Sequence, residues 1–232
     1  MTALNILSGG AAQGLVTSLA PAFKARAGCY IAGEFGAVGA MADKLRNGVT
    51  ADIIILTTAL VAKLIDEKLV VPSSITDVGL VETAIAVRAR DSRVTIGNAD
   101  DLRKALLASG EIYMPDTRAS TAGIHVAKVL AQLGIADDVA SRLKIYPNGA
   151  TAMRELAASN AKHPIGCTQS TEIISTEGVQ LCGALPKGCE LATMYTAGVT
   201  TNAASPKQAQ FLIELLTNTD SKELRGRAGF VG

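Results

Sequence analysis

IAGEFGAVGAMADKLRNGVTADIIIL, residues 31–56, sets two strand patterns around one helical pattern. Ile31–Phe35 reads as a strand, Gly36-Ala37-Val38-Gly39 as a turn of small residues, and Ala40–Asn47 as a helix with Met41 and Leu45 on one face. Asp52–Leu56 (DIIIL) is an unbroken apolar run, the pattern of a strand covered on both faces. Strand, helix and doubly covered strand in that order predict a parallel sheet with crossover helices.

The same alternation extends outward. Upstream, Leu4–Leu7 is a strand, Ser8-Gly9-Gly10-Ala11 a turn, and Ala12–Ala27 a helix with Leu15, Leu19, Ala22 and Phe23 at helical spacing. Downstream, Thr58–Glu67 is a helix, so the opening third reads β-α-β-α-β-α. Glu82–Val87, Ile112–Met114, Leu143–Tyr146 and Ile165–Thr168 are strands of a second set. Asp100–Ala108, Thr121–Leu133, Thr151–Ala158 and the helical turn Ser170–Ile174 alternate with them. Val179–Leu185 and Leu191–Val199 are strands that return the chain. Ser205-Pro206-Lys207-Gln208 reads as a capping box opening the helix Pro206–Leu216, and Ser221–Arg227 is a last short helix. The expected fold is α/β and two-lobed: two mostly parallel sheets flanked by helices, with a ligand cleft between the lobes. Residues 1–80 and 195–232 form the first lobe and 81–194 an inserted second lobe. The crossovers fall near Val78–Val87 and Leu191–Val199.

Composition narrows the function. A net charge of +1 with scattered lysines and arginines excludes a nucleic-acid binder. Scarce aromatics and no Trp exclude base-stacking platforms and aromatic sugar cradles. No apolar run reaches the roughly 20 residues of a bilayer span, so no membrane insertion is expected. The segment Met1–Leu7 has neither a basic region nor a long apolar one, which predicts a cytoplasmic chain as written, or a periplasmic one if the sequence is a processed form. Cys29, Cys167, Cys182 and Cys189 form no CxxC pair. Cys182 and Cys189 flank a short turn and could pair, but idle thiols are the expectation. His125 and His163 lack ligand spacing, so neither metal nor cofactor is expected. Without heptads, repeats or a charged tail, nothing supports a pure interaction module.

Ligands of parallel α/β sheets collect where strands end and helices begin. Four such turns share one character: Ser8-Gly9-Gly10, Gly36-Ala37, Arg118-Ala119-Ser120-Thr121 and Thr168-Gln169-Ser170. Each offers unpaired backbone N–H groups at a helix entrance, where the helix dipole favours an anion, beside hydroxyls or small residues. Ser120, Thr121 and Ser170 are equally good ordinary caps, which need no ligand. The recurrence of the pattern, rather than any one turn, points to a small anionic ligand. Arg118 adds a planar fork suited to a carboxylate.

These residues resemble the type II periplasmic binding proteins of the molybdate-binding kind. Phe35-Gly36-Ala37-Val38-Gly39-Ala40-Met41 through Leu45, with Asn47-Gly48 and Ala51-Asp52-Ile53, is similar to that family's F-G-A-S-G … L … G … A-D-V segment. Ile165-Gly166-Cys167-Thr168-Gln169, Tyr195-Thr196-Ala197-Gly198-Val199, Ala204, Pro206 and Gly229-Phe230 resemble its second half. The resemblance implies a solute-binding protein that holds an oxyanion or organic carboxylate between its lobes, with an ABC-transporter permease as partner if exported. Val38 stands where the family has a Ser that contacts molybdate, and the charge of Arg118 suits a carboxylate. The resemblance also covers aconitate-isomerase-like enzymes, which shift a double bond in a tricarboxylate by proton transfer. That alternative needs a base, for which Glu34, His125 and Glu172 are the candidates, with no choice among them.

Overall fold

Strand and helix alternate along the chain, as the residue pattern predicts. The computed structural model describes residues 3–232; Met1 and Thr2, part of the amino-terminal reading, lie outside the described residues. The elements are β1 (Ala3–Gly9), α1 (Gln13–Ala27), β2 (Tyr30–Gly36), α2 (Val38–Arg46), β3 (Ile53–Thr57), α3 (Thr58–Asp66), β4 (Thr76–Arg88) and α4 (Ala99–Ala108). There follow β5 (Ile112–Pro115), α5 (Thr121–Gln132), α6 (Ala136–Val139), β6 (Leu143–Tyr146), α7 (Gly149–Ala158), β7 (Ile165–Gln169) and α8 (Ser170–Ile174). The chain closes with β8 (Val179–Ala184), β9 (Ala192–Val199), α9 (Pro206–Thr217) and α10 (Lys222–Arg227). Two units result: the chain up to Leu80 with Thr193–Gly232, and Val81–Ala192. β4 runs through the first boundary.

In the first unit the strand order is β2-β1-β3-β9, with β1 parallel to both β2 and β3, and β9 antiparallel to β3. Ile53, Ile54, Ile55 and Leu56 have no exposed surface, which is why DIIIL carries no polar alternation. Helix α1 buries Leu15, Val16, Leu19 and Phe23, and Phe23 stacks on Phe211 of α9 at 6.0 Å. Helix α2 starts at Val38, two residues before the sequence expectation, because Ala37 already has the extended geometry of a cap and Val38 is buried with Met41 and Leu45. The capping box at Ser205 does not form. Buried Asp52 accepts the Ser205 N–H at 2.8 Å through Oδ1 and the Asn5 N–H at 2.8 Å through Oδ2. Ser205 sits at φ −130°, ψ 60°, and its hydroxyl makes no cap bond.

The second unit has a mixed sheet. β5 is parallel to β6 and β7, whereas β4 is antiparallel to β7 and β8. Its two faces carry separate cores. Ile85, Val87, Ile165 and Cys167 pack with Leu102 and Leu106 of α4 and Val126, Val129 and Leu130 of α5. Ala84, Ala86 and Tyr113 pack with Ala152, Met153 and Leu156 of α7 and Ile173 of α8. Strand alternation therefore puts Gln169 on the face of Ile165 and Cys167, and Thr168 on the α7 face. All four cysteines are free, so Cys182 and Cys189 do not pair, and burial pushes the Cys167 thiol up to about 12. Among the described residues no helix is long and apolar enough to cross a membrane.

Candidate functional site

In the first unit the parallel register sets Gly9 beside Gly36 at the carboxyl ends of β1 and β2. The backbone is crowded there: a Cβ on Gly9 would lie 2.7 Å from Val38 Cγ1 and 2.9 Å from Tyr195 Cε1. Gly10 then enters a 3-10 turn, Gly10–Ala12. Ala37 caps α2 with no side-chain acceptor, so the first-turn N–H groups keep their donor capacity. Ser8 is fully buried, and its hydroxyl donates to the Gly9 carbonyl at 2.9 Å. The donors of this half are thus backbone N–H groups. Glu34 is not among them. It pairs with Lys44 on the surface, with about half its side chain exposed.

In the second unit, Asp116 Oδ1 accepts the N–H groups of Arg118 (2.7 Å) and Ala119 (2.8 Å), which hold its carboxyl below the usual range. That turn delivers Ser120 to the entrance of α5, where it is buried and makes no side-chain cap bond. Thr121 is the first helical residue. Arg118 is exposed, and among the described residues its guanidinium has no hydrogen-bond or ion-pair partner. His125 lies on α5, half-buried, with Nε2 2.8 Å from the Cys189 carbonyl oxygen.

The third turn of interest is occupied by the protein itself. Glu172 is buried, and its carboxylate takes the Thr168 hydroxyl at 2.6 Å and the backbone N–H groups of Gln169, Gly149 and Ala150. Asn148 Oδ1 takes the N–H of Thr151 at 2.8 Å. The entrance of α7 is therefore filled by an internal anion and a side-chain cap. Gly149 is required there, since a Cβ would lie 1.9 Å from Glu172 Oε2 and 2.0 Å from Thr168 Oγ1. Burial pushes the Glu172 carboxyl above its ordinary value, and its four donors pull it partly back. Thr168 is thus committed to Glu172, and Ser170 is buried as the first residue of α8. Gln169 differs. Both polar atoms of its buried side chain lack a partner, as do Thr171 Oγ1 and Thr83 Oγ1, and Thr83 is the cross-strand neighbour of Gln169. The sequence marks Thr83 only as a hydroxyl inside the apolar strand ETAIAV.

A cavity of ≈ 320 Å³ lined by Arg90, Asp91, Ser92, His163 and Pro164 also touches Ile165, at the amino end of β7. It lies at the opposite end of that strand from Gln169 and collects none of the four turns. Among the described residues no group of His, Cys, Asp and Glu could hold a metal.

Residues 4–231 match the family model of bacterial extracellular solute-binding proteins. The sequence is 22% identical to an aconitate isomerase of a Pseudomonas species, over 95% of this chain and 84% of that protein. The fold is similar to that of the periplasmic molybdate-binding protein of Azotobacter vinelandii, with a TM-score of 0.82, 17% identity and 99% of each chain covered. It is similar also to the sulfate-binding protein of Mycobacterium tuberculosis, with a TM-score of 0.75, 20% identity and coverage of 99% of this chain and 86% of that one. At these identities the likeness to the solved structures is one of fold.

Proposed function

We propose, for a chain that belongs to the bacterial extracellular solute-binding protein family, that it captures a small anion with backbone N–H groups at open helix entrances, that of α2 in the first unit and that of α5 in the second each being a candidate. The contrast in capping carries this reading. Helices α4 and α7 have an Asn side chain on a first-turn N–H, whereas α2 and α5, like α1, α3, α8 and α9, have none, and α2 and α5 are the two that open from the small-residue and Arg118 turns. Unsatisfied donors at a helix entrance are the groups an anion pairs with. In the first unit Gly9, Gly36 and Ala37 let an anion approach the backbone, and in the second the fork of Arg118 suits a carboxylate. The molybdate and sulfate of the two structural relatives are inorganic anions; Val38 without a hydroxyl and Arg118 with a charge favour an organic carboxylate here. In this role the chain works in the periplasm and hands its ligand to an ABC-transporter permease.

The test is calorimetry with molybdate, sulfate, phosphate and a series of di- and tricarboxylates. One class binds below millimolar concentration, and Arg118→Gln weakens carboxylates by about tenfold, some 1.4 kcal/mol, while sparing the inorganic anions. No heat from any of them at millimolar concentration contradicts the proposal.

The likeness to an aconitate isomerase favours a second reading, proton transfer on an unsaturated tricarboxylate. Of its candidate bases, Glu34 is in a surface ion pair and Glu172 is sealed by four donors. His125, with Nε2 at a carbonyl, keeps Nδ1 as a lone pair if Nε2 carries the proton. Proton NMR in heavy water with cis- and trans-aconitate tests it: exchange abolished by His125→Gln supports the enzyme, and no exchange at all removes it.

A further inference from the structure

We infer that the ligand is a hydroxy acid, a small carboxylate that also carries a hydroxyl, and that Gln169 selects it. This rests on the anion-binding reading above and names the substrate class of that site.

Gln169 is 3% exposed, and neither Nε2 nor Oε1 has a partner in the protein. Parallel pairing of β5 with β7 sets Gln169 at the same sheet end as the turn that opens α5; buried polar groups are hydrogen-bonded in about nine cases of ten, so an amide with both ends open there calls for a ligand. Whichever way the amide is turned, it presents donors at one end and an acceptor at the other. A fully ionised oxyanion such as molybdate or sulfate brings acceptors only, and a bare carboxylate does the same. Either would leave the amide oxygen facing lone pairs. A hydroxyl donates to that oxygen while a neighbouring carboxylate oxygen accepts from the amide nitrogen. An ammonium group could also donate, but the open group on the cross-strand neighbour of Gln169 is the neutral hydroxyl of Thr83. The nearby carboxylate, Glu172, bonds Thr168 on the opposite face of β7 and already holds four donors. A buried ammonium would therefore have no negative partner.

The backbone supports the same role. The N–H of Gln169 is one of the four donors to Glu172, so the internal carboxylate fixes the turn that carries the amide. Gln169 is held by its main chain and left open by its side chain.

The experiment is calorimetry on the full chain with pairs that differ by one hydroxyl, L-malate against succinate and citrate against tricarballylate. The hydroxy acid of at least one pair binds about tenfold or more tighter than its deoxy partner, because a buried site built for a hydroxyl rejects the analogue lacking it. Gln169→Leu removes the preference and leaves the melting temperature unchanged or higher, since it deletes an unpaired buried amide. Thr83→Val, nearly the same shape, reduces the preference and gives the readout should Gln169→Leu fail to fold. Equal binding within both pairs, or a preference that survives Gln169→Leu and Thr83→Val, overturns the inference. If molybdate, succinate or tricarballylate bind and no hydroxy acid does, the inference falls while the anion-binding reading stands. If no anion binds, both fall.

Discussion

Gly149→Ala should destabilise the second unit far more than an ordinary glycine-to-alanine change. The added Cβ would lie 1.9 Å from Glu172 Oε2, 2.0 Å from Thr168 Oγ1 and 2.6 Å from Glu172 Cδ, so the carboxylate has to leave. It then gives up the N–H groups of Gly149 and Ala150 at the entrance of α7. A hydrogen bond to a charged group is worth about 1.5–3 kcal/mol, so two amount to about 3–6 kcal/mol. The better helix propensity of Ala returns at most about 1 kcal/mol. A net loss of about 2 kcal/mol or more corresponds to a fall in melting temperature of at least roughly 4–8 °C for a chain of this size. The control is Gly226→Ala in α10, where the new Cβ meets nothing within 4 Å. There the change is neutral or stabilising by about 0.5–1 kcal/mol. Thermal unfolding followed by circular dichroism checks both. A Gly149→Ala shift under about 2 °C would refute the idea that Glu172 is locked onto the α7 entrance.

Other outcomes follow from the same geometry. Burial holds the Glu172 carboxyl above its ordinary value of 4.5, so above pH 4.5 the folded chain keeps a proton that the unfolded chain has released. The contribution is full below that pH and is lost as pH rises through the folded value, so wild-type urea midpoints fall relative to Glu172→Gln on going from pH 4.5 upward; a constant gap contradicts this. Asp52→Ala leaves the N–H groups of Asn5 and Ser205 without their acceptor and should destabilise the first unit by about 3 kcal/mol in urea unfolding. Arg118→Gln should leave the melting temperature within about 2 °C, because the exposed guanidinium holds no protein partner. Cys167, with its thiol at about 12 and no solvent access, should label with iodoacetamide at pH 8 only after unfolding.

Much of the architecture was legible because it is written in local patterns. DIIIL announces a strand buried on both faces, and small residues after Leu7 and Phe35 mark where strands hand over to helices. What the sequence concealed depends on partners distant along the chain. The box at Ser205 is a sound local signal, but Asp52, far upstream, takes the Ser205 N–H and removes the cap geometry. Thr168 reads as a free hydroxyl until Glu172 folds back on it, and Glu172 reads as a possible base until three backbone N–H groups close around it. The four turns look alike in sequence. Cap bonds from Asn148 and Glu172 fill the entrance of α7, which lies outside those four turns, whereas the entrances of α2 and α5 carry no side-chain cap bond. The open amide of Gln169 could not be read at all, because a missing partner leaves no mark on composition or spacing.

Capture of a small anion by open helix-entrance N–H groups is tested most directly by a titration of ¹⁵N-labelled protein followed through its amide resonances. The ligand should be the best binder from the calorimetric series. The N–H signals of an open entrance, Ala37 and Val38 at α2 or Ser120, Thr121 and Ala122 at α5, should shift with the dissociation constant that calorimetry gives. Shifts at neither entrance, or centred on the cavity of Arg90 and His163, would contradict it.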